Sequence, residues 1–318
     1  MFVAPPPLHV ILACPRGFCA GVERAVEIVE RALRLYGPPV YVRHQIVHNH
    51  HVVERLRARG AVFVEGTDEV PVGAVTVFSA HGVSRKVERD AAERRLDVID
   101  ATCPLVRKVH KEGARYARLG FDVVLVGHRG HAEIEGTLGQ IDGHVHVVAT
   151  VEDVAALQVE NPSRVAYVTQ TTLSMLDTRE IIDALTARFP DAVGPDTRDI
   201  CYATQNRQAA VLAMIDEVDL LLVVGAPNSS NSNRLREIGE RRGVQSRLIE
   251  GPGAISPAWL DGVDRVGLTA GASAPESLVQ DVLARLAELR TVTAESREGA
   301  EETVRFRLPD RLRDLEQP

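Results

Sequence analysis

DATCPLVRKVHKEGARYARLGFDVVLVGHRGHAE, residues 100–133, places one helix, one strand and one polar loop in immediate succession. Pro104 suits a first helical turn, where a missing N–H costs nothing, and Gly120 suits a stop. PLVRKVHKEGARYARLG is therefore predicted to be a helix opened by Cys103. FDVVLVG, rich in β-branched residues, is predicted to be a strand. HRGHAE, from His128 to Glu133, follows as a polar loop at the strand's carboxyl end.

The same succession occurs twice more. Cys19 leads into AGVERAVEIVERALRLYG, where Val22, Val26, Val29 and Leu33 recur at helical spacing and Glu27/Arg31 and Glu30/Arg34 stand four apart. Cys201 leads into YATQNRQAAVLAMIDEV, with Val211, Leu212 and Ile215 as its apolar stripe. PVYVRHQIV and VDLLLVVG are the strands that follow, and HNHH from His48 and APNSSNSN from Ala226 to Asn233 are their loops. His48 lies 29 residues after its cysteine, His131 lies 28 after, and Ser229 lies 28 after. Such phase marks an internal repeat. Each unit then adds a second strand and polar loop: AVTVFSAHGVS, RVAYVTQTTLS and RVGLTAGASAP, with His81, Thr171 and Ser273 in the loops.

Strands alternating with helices imply βαβ units and parallel sheet, in which ligands gather at the strands' carboxyl ends. The expected fold class is α/β: three pseudo-threefold-related lobes, trefoil-like, each with a small, mainly parallel sheet, around a central site. Expected boundaries are 1–103, 104–197 and 198–290, followed by a tail, 291–318. In the tail, Val304, Phe306 and Leu308 of TVRFRLP alternate like one edge strand.

A chain of 318 residues, 45% apolar and 25% charged, supports two or three globular cores. Four cysteines (Cys14, Cys19, Cys103, Cys201) are too few for a disulfide framework, and MFVAPPPLHV lacks a basic signal region, so a cytoplasmic location is expected. Apolar runs such as Leu220 to Val224 fall far short of the roughly 20 residues of a membrane-spanning helix. A net charge of −7 without blocks of like charge argues against a nucleic-acid partner. Lysine occurs only at 86, 108 and 111, which reads as a genomic bias toward arginine.

Three cysteines at equivalent helix starts point to metal ligation, because a helix amino terminus favours the thiolate that binds metal. Thiolate ligands select zinc or an iron–sulfur cluster. No C-x₂-C pair and no ferredoxin spacing occurs, so local sequence leaves a Cys₃ zinc site and an iron–sulfur cluster both open. A cubane on three protein thiolates would leave one iron for an external ligand. Cys14 ends the strand LHVILAC and has no counterpart in the other units, so it is read as a non-ligand. In the loops, His48, His81, His131, Ser229, Ser230, Asn231 and Ser273 are hydrogen-bonding side chains, and Gly82, Gly225 and Gly271 let backbone N–H groups approach closely. That lining suits a small phosphorylated anion. Glu133 is a carboxylate close behind a loop histidine, and a dianionic ligand would raise its pKa and fit it for proton donation, with Thr171 as relay. His9, His110, His144 and His146 are given no role.

PRGFCAGV, YVRHQIVHN, FSAHGVS, DATCPLV, GHRGHAEIEGTLGQ, TQTTLS, DICYATQNRQ, NSSNSNRL and TAGASAP together resemble the signature blocks of the 4-hydroxy-3-methylbut-2-enyl diphosphate reductases, over about residues 8 to 290. The resemblance implies the last step of the non-mevalonate isoprenoid pathway, performed with a [4Fe–4S] cluster on Cys19, Cys103 and Cys201. It implies a substrate diphosphate held by His48, His81, Ser229, Ser230, Asn231 and Ser273, with His131 lining the pocket. The substrate's C4 hydroxyl would meet the open iron, Glu133 and Thr171 would deliver protons, and Gln170 would orient that relay. An external one-electron donor of ferredoxin or flavodoxin type is implied as partner, since no G-x-G-x-x-G follows a strand.

Overall fold

The structure, a computed structural model, describes residues 6–313. In chain order the elements are β1 (Leu8–Leu12), α1 (Ala20–Tyr36), β2 (Val40–Arg43), α2 (His50–Ala58), β3 (Ala61–Val64), β4 (Val75–Phe78), α3 (Arg85–Glu93), β5 (Asp97–Asp100) and α4 (Pro104–Arg118). There follow β6 (Asp122–Val126), α5 (Ala132–Leu138), β7 (Val145–Val148), α6 (Val151–Ala156), β8 (Val165–Thr169) and α7 (Met175–Arg188). The last are α8 (Tyr202–Leu212), β9 (Leu220–Val224), α9 (Ser230–Arg241), β10 (Gln245–Ile249), β11 (Arg265–Ala270), α10 (Glu276–Leu289) and β12 (Val292–Ser296).

These elements divide into two compact units: residues up to 20, 48–52 and 202–305 form the first, and 21–47, 53–201 and those from 306 form the second. The first unit holds one five-stranded sheet, β10-β9-β11-β1-β12. The second holds two, β3-β2-β4-β5 and β7-β6-β8. Every strand pair is parallel. The central strands are apolar without alternation because both faces are covered. Leu220, Leu222 and Val224 of β9 pack into the cluster that includes Leu278, Val279 and Val282 of α10, while Leu221 and Val223 face Val211 of α8 and Leu235 of α9. In β6, Val124 and Val126 join one cluster, and Val123 and Leu125 the other.

One order recurs in all three sheets. A strand (β2, β6 or β9) leads through a helix (α2, α5 or α9) to a neighbour on one side, and the chain then returns to pair on the other side (β4, β8 or β11). Between the first strand and the returning one lies a topological switch point, where a parallel sheet opens a crevice at its carboxyl end. The six polar loops singled out in the sequence are the loops that follow these two strands in each sheet.

The cysteines obey the same repeat. Cys103 N–H donates to Ala80 C=O (2.9 Å), Cys201 N–H to Thr171 C=O (3.0 Å) and Cys19 N–H to Ala272 C=O (3.2 Å). Each cysteine is thus tied to the loop after the returning strand of the sheet that precedes it in the repeat, and for Cys19 that sheet is formed by strands from 220 onward. The expected first segment, 1–103, holds strand β1 together with the sheet β3-β2-β4-β5. Strand β1 lies beside β11 and β12, because LHVIL is buried on both faces and needs a paired edge on each side.

The tail contributes a strand, but not where it was expected. Val292–Ser296 pairs with β1, whereas Val304, Phe306 and Leu308 lie in irregular chain. Alternation supplies only a pattern; Val304 is 41% exposed and finds no sheet edge.

Candidate functional site

At the β6/β8 switch point, α5 presents Glu133 to the loop after β8. The Glu133 side chain is buried, with 2% of the residue exposed. Thr171 N–H donates to its Oε1 (2.7 Å) and the Thr171 hydroxyl to its Oε2 (3.0 Å). Burial pushes the carboxyl up to about 7; the two Thr171 bonds pull it down and the charge of Asp199 pushes it up. An acid poised near neutrality can hold and release a proton at ordinary pH. Since Thr171 C=O also accepts the Cys201 N–H (3.0 Å), one residue joins the carboxyl to a cysteine.

His131 caps α5 by accepting the Glu133 N–H at Nδ1 (3.1 Å), which leaves its proton on Nε2. Burial and then the charge of His128 push this imidazole down to about 4, so it is a neutral donor. The His81 ring meets it edge-on, 5.9 Å between centroids at 88°. His110, given no role above, is buried behind Gly82, and burial pushes it down to about 4. Gly82 has φ +81, and a Cβ there would lie 2.5 Å from His110 Cε1, so this turn beside His81 requires glycine.

At the β9/β11 switch point, Ser229 caps α9 by accepting the Ser232 N–H (3.3 Å) and the Ser232 hydroxyl (2.9 Å). Asn231 Oδ1 accepts the Ala272 N–H (2.8 Å), and Ser273 Oγ donates to His48 C=O (2.9 Å). Asn228 Nδ2 lies 3.2 Å from His48 Nδ1. Ser230 is the first residue of α9 and is half-buried. A Cβ on Gly225 or Gly271 would stand 2.2 or 2.0 Å from Ser232 Oγ, so both loops approach the first turn of α9 only as glycine. Asn231 and Glu133 are equivalent: each is the second helical residue, lies thirty residues after its cysteine, and accepts the backbone N–H of the loop opposite. The repeat thus carries an amide at one switch point and an acid at another.

Three features were not legible in the sequence. Asp199 is 3% exposed and accepts from Lys108 Nζ (3.2 Å) and Thr169 N–H (3.3 Å); burial raises its pKa. Arg207 is fully buried and donates to Gly17 C=O (2.9 Å), Phe18 C=O (3.1 Å) and Glu302 Oε1 (2.9 Å), fixing the loop that ends at Cys19. The backbone bonds to the cysteines place Thr172 in register with His81 and Ser273, with Thr171 one residue before it, a register that loop lengths do not state. Gln170 does not touch the Glu133 carboxyl. Its side chain accepts the His128 N–H (3.2 Å) and donates to Thr172 Oγ1 (3.1 Å), bracing the two loops against each other.

None of the four cysteines is in a disulfide. Among the described residues no three His, Cys, Asp or Glu side chains gather closely enough to hold a single metal ion, and no helix is long and apolar enough to cross a membrane.

Parallel sheets with imidazoles, hydroxyls and amides at their switch points, one near-neutral acid and three thiols at helix starts define an α/β protein. A family model described as LytB protein matches residues 10–287. The chain belongs to the LytB family. It is 60% identical over 308 residues to the 4-hydroxy-3-methylbut-2-enyl diphosphate reductase of Zymomonas mobilis, covering 97% of this chain and 91% of that protein. It is likewise 60% identical over 304 residues to the reductase of the same name from Bordetella pertussis, covering 96% and 94%. Among solved structures, the E-1-hydroxy-2-methyl-but-2-enyl-4-diphosphate reductase of Plasmodium falciparum superposes with a TM-score of 0.91 at 36% identity, covering 97% of each chain.

Proposed function

We propose that this chain is an oxidoreductase that converts (E)-4-hydroxy-3-methylbut-2-enyl diphosphate to isopentenyl and dimethylallyl diphosphates, the last step of the non-mevalonate isoprenoid pathway. Two electrons and two protons enter, the C4–O bond breaks, and the oxygen leaves as water. The observation that carries the reading is Glu133: a buried acid, held by both hydrogen-bond donors of Thr171 and poised near neutrality.

The donor set of Cys19, Cys103 and Cys201 fits a [4Fe–4S] cluster: soft thiols, none in a disulfide, each next to the first turn of a helix. Such a cluster would supply the electrons one at a time and Lewis acidity at an iron without a protein ligand. Cys14 takes no part. His48, His81, Ser229, Ser230, Asn231 and Ser273 hold the diphosphate through hydrogen bonds, and His131, a neutral imidazole, lines its pocket. Binding energy spent on the remote diphosphate positions the reacting carbon. Glu133 holds the proton at its carboxyl, and Thr171 Oγ passes it to the departing oxygen. Gln170 keeps the two loops at a fixed spacing. The electrons come from an external ferredoxin or flavodoxin, in the cytoplasm.

The test is anaerobic purification with iron and sulfide quantitation, followed by dithionite-driven reduction of the allylic diphosphate. Brown protein with four irons and four sulfides per chain, and both five-carbon diphosphates as products, is the expected result. Colourless, air-stable protein holding zinc and hydrolysing the diphosphate would refute it.

A further inference from the structure

The cations of α4 are not scattered. Arg107, Lys108, Lys111, Arg115 and Arg118 are all exposed, and at 3.6 residues per turn they fall within an arc of roughly 100° on one face of the helix. Two of the three lysines of the chain are among them, on a protein whose net charge is −7. Arg107 and Lys108 are partly neutralised, by Asp100 (2.6 Å) and Asp199 (3.2 Å). Lys111, Arg115 and Arg118 form no ion pair among the described residues, and Arg115 stacks on Tyr116, 5.4 Å from the ring centre. With Arg107 these three line a groove of about 580 Å³, whose two carboxylates are already engaged: Asp100 by Arg107, and Glu88 by Gln140 Nε2 (3.0 Å).

The helix that carries this face is capped by Cys103. With a rise of about 1.5 Å per residue, Arg107 stands about 6 Å and Lys111 about 12 Å along the axis from that cysteine. We propose that the exposed cationic face of α4 is the docking surface for an acidic one-electron carrier protein, which delivers its electron toward Cys103. The inference rests on the reductase reading above. At each visit the carrier is oxidised by one electron and the loaded enzyme reduced by one; two visits supply the pair that the C4–O cleavage consumes. Opposite charge steers such an encounter and fixes its orientation, and an overall acidic protein needs a local cationic face to accept an acidic partner.

The experiment uses cluster-loaded, full-length enzyme and reduced acidic ferredoxin as the probe. Lys111→Glu with Arg115→Glu is compared with Arg242→Glu and Arg285→Glu, an exposed and a half-buried arginine of the first unit giving the same change in net charge. The α4 pair should raise the KM for ferredoxin about tenfold and abolish its dependence on ionic strength, while the control pair leaves it near wild type. Dithionite-driven turnover should stay unchanged in every variant, which also shows that each one folds and holds its cluster. An unchanged ferredoxin KM with normal dithionite turnover overturns the docking surface and leaves the reductase reading intact. Absence of dithionite turnover in the wild-type enzyme overturns the reductase reading itself. Loss of binding to an RNA oligonucleotide with an unchanged ferredoxin KM would make the face a nucleic-acid surface and overturn the proposal.

Discussion

Replacing Thr171 by valine removes one hydrogen bond from Glu133 and leaves the other. The Thr171 hydroxyl donates to Oε2 at 3.0 Å, whereas the backbone N–H at 2.7 Å on Oε1 is untouched by the change. Valine is close to threonine in shape, so its methyl fills the space with an apolar surface. A hydrogen bond to a charged group is worth about 1.5 to 3 kcal/mol, and 1.36 kcal/mol corresponds to one unit of pKa, so the lost bond raises the carboxyl by about one to two units. From about 7 in the native protein, where burial outweighs the Thr171 bonds, the acid moves to roughly 8 to 9. Because the proton donor must be protonated to act, reduction falls as pH rises through its pKa, and kcat/KM reports that pKa in the free enzyme. The assay is the pH profile of kcat/KM for the loaded enzyme under anaerobic conditions. Thr171→Val should carry its alkaline limb about one to two units higher, with a lower plateau because the hydroxyl relay is gone. Glu133→Gln should lose this limb and about 10²- to 10⁴-fold in rate, which separates it from any limb due to the diphosphate itself. A limb that stays in place in Thr171→Val, or that survives in Glu133→Gln, refutes the assignment of the acid.

Asp199→Asn should move the same limb in the opposite direction, because the Asp199 charge pushes the Glu133 carboxyl up and the amide oxygen can still accept the Thr169 N–H; an upward shift would contradict this. Arg207→Met leaves the buried carbonyls of Gly17 and Phe18 and the Glu302 carboxylate without their donor, at a cost of about 3 to 5 kcal/mol. Chemical denaturation should record that loss and iron analysis a lower cluster content, whereas wild-type values for both would remove Arg207 from the support of Cys19. Cys103→Ser should lose the cluster and Cys14→Ser keep it, so equal iron content in the two variants would overturn the ligand assignment.

The legible part of this protein is periodic. Helices α1, α4 and α8 follow from apolar positions three and four apart, and β6, β8, β9 and β11 from dense β-branched or leucine runs, because those patterns state which face must be buried. The lysines of α4 show the limit of composition: taken as genomic bias, Lys108 and Lys111 gain meaning only when the helix sets them beside Arg107, Arg115 and Arg118. Strand β1 shows the limit of sequence order, since pairing follows exposed edges and not neighbouring position.

By itself the sequence determined three copies of a cysteine-helix-strand-loop unit, and hence which six loops stand at the carboxyl ends of strands. Local pattern suffices for that, because helix and strand periods are properties of short segments. Only the tertiary structure decided that β1 completes the sheet of the strands beyond residue 220, that each cysteine is tied to the loop of the sheet before it, and that Glu133 is the acid poised near neutrality. Those outcomes depend on desolvation and on hydrogen bonds between segments from about twenty to more than two hundred and fifty residues apart, such as Cys103 with Ala80, Thr171 with Glu133 and Cys19 with Ala272. Burial of a carboxyl is a property of everything packed around it, and no stretch of sequence states it.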